Sequence, residues 1–200
     1  MRTVIPLNGS VRERIMTCLK AAGWHPGRAV DLTEVKAFYA SGGITLPAGA
    51  EAFLRAYYGI AQKWHLAETE EQLMHPKLAD YAAAVEFSLY PYRGLPDCNR
   101  AYWYDDPDAL EEQRRVEAAA GEPLVFVGCI GHYYSANVYL GSNAKIYTAH
   151  DYDDIVHCYD SVPEMLEYDF IDARGQMRAW NFAAMQMIAY RADDPRNVID

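Results

Sequence analysis

Residues 124–149, LVFVGCIGHYYSANVYLGSNAKIYTA, carry the strongest β-sheet signal of the chain and decide the predicted fold. The continuous apolar run Leu124–Ile130 is typical of a central, buried strand. Ala136–Leu140 and Lys145–Ala149 are rich in β-forming residues, and the turn residues Gly141–Ala144 lie between them. Two β-prone runs joined by so short a turn predict an antiparallel hairpin.

Helices are predicted on both sides of this stretch. Three residue pairs have the spacing of a capping box, in which two side chains bond the free N–H groups at a helix start. These pairs are Ser10–Glu13, Asp31–Glu34 and Ser161–Glu164. Another helix is predicted from near Pro47, and another from Asp105 to about Ala120. A C-terminal helix over 176–192 is predicted from one helical face of apolar residues: Met177, Trp180, Ala184, Met187 and Ile188.

The order of these elements indicates the fold class. Further strands are predicted at Gln62–Ala67 and Ile155–Tyr159, whereas Ala83–Leu89 fits either a strand or the end of a helix that begins near Pro76. Helices therefore precede and follow a mainly β region. This order indicates an α+β fold with a mainly antiparallel sheet flanked by helices, not a βαβ alternation. With 200 residues, one domain over 1–200 is expected.

The charge balance argues against several classes of partner. Eighteen Lys and Arg residues stand against 28 Asp and Glu, a net charge of −10. Phosphate groups require an excess of basic side chains, so neither nucleic acid nor an anionic membrane is expected to bind. The longest uncharged run, Leu124–Ala144, is interrupted by polar residues, and the N-terminus lacks the apolar core of a signal peptide. The sequence therefore predicts a cytoplasmic protein.

Reactive side chains form no recognisable catalytic motif. The four cysteines, which include no CxxC pair, are expected to be free, buried and inert: Cys18, Cys98, Cys129 and Cys158. Cys129 and His132 are three residues apart, but a thiol in an apolar run is a poor nucleophile. Among the six histidines there is no HxH or HExxH, although His132 could approach His150 and Asp151 across the hairpin. The prediction is no metal, no cofactor and no enzyme activity, with a paired-carboxylate hydrolase as an open alternative.

Acidic residues lie beside aromatic ones at two places. The first group is Tyr102, Trp103, Tyr104, Asp105, Asp106 and Asp108, and the second is Asp151, Tyr152, Asp153 and Asp154. Aromatic side chains anchor an interface by burial, whereas carboxylates steer a basic partner and pair with its Lys and Arg. Such a surface could occupy the basic groove of a nuclease in place of phosphate. We therefore predict that these ten residues bind a protein, the alternative being that they only favour a helix start and turns.

Two other groups of residues are weaker candidates for a partner surface. A third acidic cluster, Glu68, Glu70 and Glu71, has no interleaved aromatic residue. The chain also holds 16 tyrosines, a residue type enriched at protein interfaces. Five of them lie in or near predicted loops: Tyr90, Tyr92, Tyr102, Tyr133 and Tyr134.

Four short motifs, built mainly from core and turn residues, carry a family resemblance. They are Gly23–Arg28 (GWHPGR); Ala52–Gly59 (AFLRAYYG); Val127–Gly131 (VGCIG) with Val138–Leu140 and Lys145–Tyr147; and Ser161–Leu166 (SVPEML). Together they resemble the third subfamily of the SUKH superfamily of immunity proteins, the Smi/Knr-like fold. The resemblance covers a core of about residues 8–172. Residues 96–121 resemble an insertion, 176–192 a helical extension, and Ile60 stands where that family often has a second Gly.

The resemblance implies an α+β domain without a catalytic centre. Members of the superfamily are typically bacterial immunity proteins that neutralise polymorphic or contact-dependent toxins, often nucleases or deaminases. The expected function is therefore that of a non-catalytic cytosolic immunity protein whose partner is a basic toxin domain. A regulatory protein-binding scaffold of the same fold is the first alternative, and a small hydrolase is the second.

Overall fold

The computed structural model describes the backbone of residues 3–6, 8–67, 82–87, 107–132, 134–150, 154–171 and 186–189. The helices within these residues are α1 (Val11–Ala21), α2 (Thr33–Ser41), α3 (Ala48–Tyr57), α4 (Pro107–Ala120) and α5 (Val162–Ile171). The strands are β1 (Thr3–Pro6), β2 (Ile60–Ala67), β3 (Ala82–Phe87), β4 (Val125–His132), β5 (Tyr134–Leu140), β6 (Ile146–His150), β7 (Val156–Tyr159) and β8 (Gln186–Ala189). Among the described helices, none combines the length and the apolarity that crossing a bilayer requires.

These strands form one antiparallel sheet in the order β1-β8-β2-β3-β4-β5-β6-β7. The predicted hairpin is β5–β6, in which Ala136 lies opposite His150 and Leu140 opposite Ile146. Of the two readings of Ala83–Leu89, the strand is right over Ala82–Phe87, which pairs with β2 and β4. The α+β class with an antiparallel sheet is confirmed.

Helices pack on both faces of the β4–β7 part of the sheet. On one face, the main core joins α1, α2, α3 and α5 to the sheet through residues such as Leu19, Leu54, Val138 and Leu166. On the other face, Val116 of α4 packs in a smaller core whose sheet residues are Leu124, Phe126, Tyr139, Tyr147 and Ala149. Among the described helices, α4 is therefore the only one that packs against this second face of the sheet.

A β-bulge reverses the side-chain alternation in the middle of β4. Phe126 lies opposite Tyr139, but Gly128 lies opposite Val138, so Val127 is an extra residue. Before the bulge, Val125 and Val127 face the main core, and after it Ile130 does so. Because an extra residue shifts a period of two by one position, Cys129 faces away from the main core.

The predicted capping boxes have three different outcomes. At α1 the box is present: the Ser10 N–H donates to the Glu13 carboxylate (2.7 Å), and Ser10 Oγ accepts from the Glu13 N–H (3.4 Å). At α2 the prediction is wrong, because the helix begins at Thr33 and Asp31 instead accepts from the Thr33 N–H (3.1 Å) and hydroxyl (2.8 Å).

At α5 the box is shifted by one residue. Ser161 Oγ accepts from the Glu164 N–H (3.4 Å), as predicted. The Glu164 carboxylate, however, accepts from the Asp160 N–H (2.9 Å), one residue before the predicted partner. The side chains of Ser161 and Glu164 therefore still accept hydrogen bonds from backbone N–H groups at this helix start, as the sequence indicated.

The predicted C-terminal helix is wrong for Gln186–Ala189, which form β8 between β1 and β2. Two adjacent apolar residues, Met187 and Ile188, are compatible with either a strand or a helix face. The pairing of this segment with β1 on one side and β2 on the other makes it a strand. Residues 172–185 and 190–192 lie outside the described residues. Of the predicted insertion 96–121, the structure describes α4 and Gly121.

The turn of the β5–β6 hairpin is held between α3 and Glu122. The Glu122 carboxylate accepts from the N–H groups of Ser142 (2.8 Å) and Asn143 (3.3 Å). On the other side, a Cβ atom at Gly49 would lie 2.5 Å from the carbonyl oxygen of Gly141 and 2.7 Å from the amide nitrogen of Ala144. The backbone of α3 therefore approaches the turn as closely as only a glycine permits.

Candidate protein-binding surface

The structure describes two of the ten residues predicted to bind a partner. Asp108 lies in the first turn of α4, and Asp154 lies two residues before β7; both are exposed. The remaining eight lie outside the described residues: Tyr102, Trp103, Tyr104, Asp105, Asp106, Asp151, Tyr152 and Asp153. The structure therefore describes only the last acidic residue of each predicted cluster.

The structure brings these two acidic residues to the same region of the molecule. Asp154 Oδ1 lies 3.8 Å from Nη1 of Arg115 on α4. Asp108 precedes Arg115 by two helical turns on the same side of the helix, a distance of about 10 Å along its axis. Because the Asp154 side chain is fully exposed, its ion pair with Arg115 contributes little to stability and leaves the carboxylate accessible.

Hydrogen bonds to the sheet fix the direction of α4. Near its start, Glu112 Oε1 accepts from the Asn137 amide (2.9 Å) and the Tyr139 hydroxyl (2.6 Å). Near its end, the Glu117 carboxylate accepts from the Leu124 N–H (3.1 Å), just before β4. The N-terminus of α4 therefore points to the end of the sheet at which β6 finishes and β7 begins.

An exposed apolar side chain accompanies the two acids. Ile155 follows Asp154 and is 57% exposed, the one large apolar side chain of the described residues that is exposed. An exposed apolar group next to carboxylates has the composition of an interface anchor with a polar rim. We call Asp108, Glu111, Asp154 and Ile155 the acidic rim. The sequence predicts Ile155 as the first residue of a strand and gives no indication of its exposure.

Most of the net charge of the protein belongs to one part of the sequence, residues 107–171. Residues 107–171 contain 12 of the 28 acidic residues but only three of the 18 basic ones, so they hold nearly all of the net charge of −10. Helices α1–α3, in contrast, carry similar numbers of acidic and basic side chains. Within residues 107–171, carboxylates belong to α4 on one face of the sheet and to α5 on the other, so the excess of negative charge extends beyond the acidic rim. This signal was present in the sequence as a regional charge count.

The described side chains include no group of three or more His, Cys, Asp or Glu that could hold a metal ion. His150 is 2% exposed and lies on the face that carries the main core, where its ring centroid lies 6.4 Å from that of His157. The side chain of His132 and the whole of Asp151 lie outside the described residues. The predicted approach of His132 to His150 and Asp151 is therefore not addressed by the structure.

The cysteines differ in exposure, which corrects the prediction that all of them are buried. Cys18 is buried, Cys129 is half-buried and Cys158 is exposed, whereas Cys98 lies outside the described residues. The bulge in β4 turns Cys129 away from the main core, and Cys158 points to the opposite face from Tyr159 on β7. Burial raises the pKa of the Cys18 thiol to about 12.

Thiol alkylation checks this difference in exposure. We expect Cys158 of the folded protein to react with iodoacetamide at pH 8 and Cys18 to stay unmodified, because a thiol with so high a pKa holds almost no thiolate. Mass spectrometry of tryptic peptides measures both sites, and a sample unfolded in urea is the control in which both must react. Equal modification of the two sites in the folded protein would contradict the burial of Cys18.

Searches against protein-family models, curated proteins and solved structures find no match to this chain. The interpretation of the acidic rim therefore rests on the chain's own residues.

Proposed function

We propose that this chain is a non-catalytic immunity protein of the SUKH class, third subfamily, which binds a basic toxin domain through the acidic rim and thereby neutralises it. One observation carries the proposal. Asp154, from one acidic cluster of the sequence and next to the exposed Ile155, lies 3.8 Å from Arg115 of α4, the helix that carries Asp108 of the other cluster two turns away.

The composition of the acidic rim suits a basic protein better than a small molecule. A toxin that acts on nucleic acid needs a basic groove to bind phosphate, and carboxylates can occupy that groove. Ile155 would supply the apolar contact that keeps the partner bound once charge has brought it close. Neutralisation then needs only that the groove is covered, with no chemical step.

The arrangement of α4 and the sheet also supports a preformed surface. Glu112 ties α4 to β5 near the acidic rim, and the Arg115–Asp154 contact joins α4 to the segment before β7. A surface that is ordered before binding loses less conformational entropy on association. The antiparallel sheet flanked by helices agrees with the architecture that the family resemblance implies.

Charge reversal at Asp154 tests the proposal. We expect the gene adjacent to its own to encode the toxin domain; the two proteins are co-expressed, and growth rescue and the dissociation constant are measured. We expect the wild-type chain to rescue growth and Asp154→Lys to bind about tenfold more weakly, since one attractive contact becomes repulsive. Raising the salt concentration should bring the dissociation constants of the wild-type chain and Asp154→Lys closer together, because salt screens exposed charges.

Glu34→Lys is the matched control, because it makes the same change of charge at an exposed position of α2, away from α4. It should leave the dissociation constant within about twofold of wild type. If the two reversals weaken binding equally, the contact at the acidic rim is refuted. If the complex forms without rescue, the regulatory scaffold replaces the immunity role, and if neither occurs, the toxin partner is excluded.

A further inference from the structure

Tyr39 of α2 is bonded to the backbone of the sheet from inside the main core. Its side chain is 0% exposed, and its hydroxyl donates to the carbonyl oxygen of Phe126 in β4. The side chain of Phe126 belongs to the smaller core on the opposite face of the sheet. A residue of one face therefore holds the backbone of a residue that packs on the other.

The bonded carbonyl group lies next to the β-bulge. Phe126 immediately precedes Val127, the extra residue, and a bulge disrupts the regular hydrogen-bond ladder locally. The described pairs between β3 and β4 involve residues 129–131 of β4, so Phe126 lies beyond them. Gly128, on the other side of the bulge, has a φ of 150°, a conformation that favours glycine. The Tyr39 hydroxyl thus bonds to β4 where the strand pairing is irregular.

The bulge decides which side chains of β4 face α4. A shift of one residue turns every side chain of a strand to the other face, because the side-chain period is two. In the present register Leu124 and Phe126 lie in the smaller core under α4, whereas Val125 and Val127 lie in the main core. Pairing of β4 with β5 without the bulge would exchange these two sets.

On the α4 side, Phe126 packs against the residue that is bonded to α4. The rings of Phe126 and Tyr139 meet edge to face, with their centroids 5.9 Å apart and their planes at 70°. The Tyr139 hydroxyl donates to Glu112 (2.6 Å) on α4, the helix that carries two residues of the acidic rim. A continuous series of direct contacts therefore connects Tyr39 to Glu112 through the sheet.

We propose that Tyr39 is a positioning residue for α4: its hydroxyl holds the β4 bulge, and the bulge keeps Phe126 against Tyr139, from which the hydroxyl group reaches Glu112. Its effect on α4 is a property of this chain alone. A consequence for partner binding follows as well, and that step rests on the proposed function. Tyr39 would then contribute to toxin binding from the face of the sheet opposite to α4.

Amide exchange of Tyr39→Phe, measured on the full chain without a partner, tests the positioning role. The relevant α4 amides are those less protected than the amides of α1, since global unfolding does not set their exchange rate. We expect their protection to fall at least about threefold, because the bond that holds the bulge is lost. The Overhauser contact between the rings of Phe126 and Tyr139 should weaken in the same variant, which a general loss of stability does not produce.

Tyr57→Phe is the matched control. It removes a hydroxyl from a half-buried tyrosine on the main-core side of the molecule, in α3, where the ring packs 4.9 Å from that of Phe53. This variant should leave the protection of the same α4 amides and the contact between Phe126 and Tyr139 unchanged, since α3 lies on the face opposite to α4.

A double-mutant cycle separates an effect that passes through the sheet from two independent losses. Tyr139→Phe keeps the ring and removes the hydroxyl that donates to Glu112. For independent sites, the fold reductions in α4 protection multiply in the double variant. We expect the double variant with Tyr39→Phe to fall short of that product by at least about twofold, because both changes weaken the same contact with α4.

Three results would overturn the proposal: unchanged α4 protection in Tyr39→Phe, equal reductions in Tyr39→Phe and Tyr57→Phe, or reductions that multiply in the cycle. If Tyr39→Phe fails to fold, Gly128→Ala takes its place, because alanine strains the bulge at its own backbone and must cause the same loss in α4. The toxin dissociation constant is measured separately. Reduced α4 protection with unchanged toxin binding would support the positioning role of Tyr39 and count against the acidic rim as the toxin contact.

Discussion

Gly49→Ala should lower the free energy of unfolding by about 3 kcal/mol, although alanine is the better helix former. The added methyl group would lie 2.5 Å from the Gly141 carbonyl oxygen and 2.9 Å from Cα of Ala144. Both atoms belong to backbone, so no side chain can rotate to relieve the clash. Either α3 must move away from the sheet or the hairpin turn must shift, and Glu122 holds that turn from the other side. Urea unfolding at pH 7 measures the loss.

The matched control for Gly49 is Ala52→Gly at an exposed position of the same helix. This variant measures the intrinsic difference between alanine and glycine in α3, which should be about 1 kcal/mol in favour of alanine. The close approach of α3 to the turn predicts opposite signs at the two positions. If alanine stabilises the protein at position 49 as well, the contact between Gly49 and the turn is not as the structure describes it.

Glu112→Ala should cost about 2 kcal/mol and weaken partner binding at the same time. Its carboxylate accepts from the hydroxyl of Tyr139, a residue that is 0% exposed, and from the Asn137 amide. Removal of the carboxylate takes this acceptor from both donors beneath α4, and the loss of a hydrogen bond to a buried hydroxyl destabilises the fold. Because Glu112 lies on the helix that carries Asp108 and Glu111, the acidic rim should become less ordered.

Glu111→Ala removes the same charge from the neighbouring, exposed position of α4 and is the matched control for the unfolding measurement alone, because Glu111 belongs to the acidic rim. We expect it to change the unfolding free energy by less than about 0.5 kcal/mol, as is usual for surface positions. Glu112→Gln keeps one acceptor oxygen, so its loss of unfolding free energy should lie between those of Glu111→Ala and Glu112→Ala. Equal losses for Glu111→Ala and Glu112→Ala would show that the Tyr139 contact does not anchor α4.

Local signals in the sequence predicted the elements of this fold better than their connections. The run Leu124–Ile130 and the turn GSNA identified the central strand and the hairpin because both depend on neighbouring residues. The bulge at Val127 depends on the fit of β4 to β5, so no periodicity marked it, and Cys129, predicted to be buried, is half-buried. Strand β8 escaped prediction for the same reason, since its two partners are distant in sequence.

The candidate surface was predictable in its chemistry but not in its geometry. Acidic residues around Asp108 and Asp154 stood out as clusters, yet their proximity depends on how α4 crosses the sheet. That crossing is set by Glu112 and Glu117, which appeared in the sequence only as charges on an exposed helix. The exposure of Ile155 was not predicted because an apolar residue beside a short strand is normally part of a core.

The position of β8 has a consequence for synthesis of the chain. Thr3 pairs with Ala189, and β8 is also the strand that joins β1 to β2 in the described sheet. As the ribosome makes the chain from the N-terminus, β1 is produced first but must wait for Gln186–Ala189 to emerge before it gains that pairing. Contacts between residues so distant in sequence form slowly, so this corner of the sheet should be the last to assemble on the nascent polypeptide.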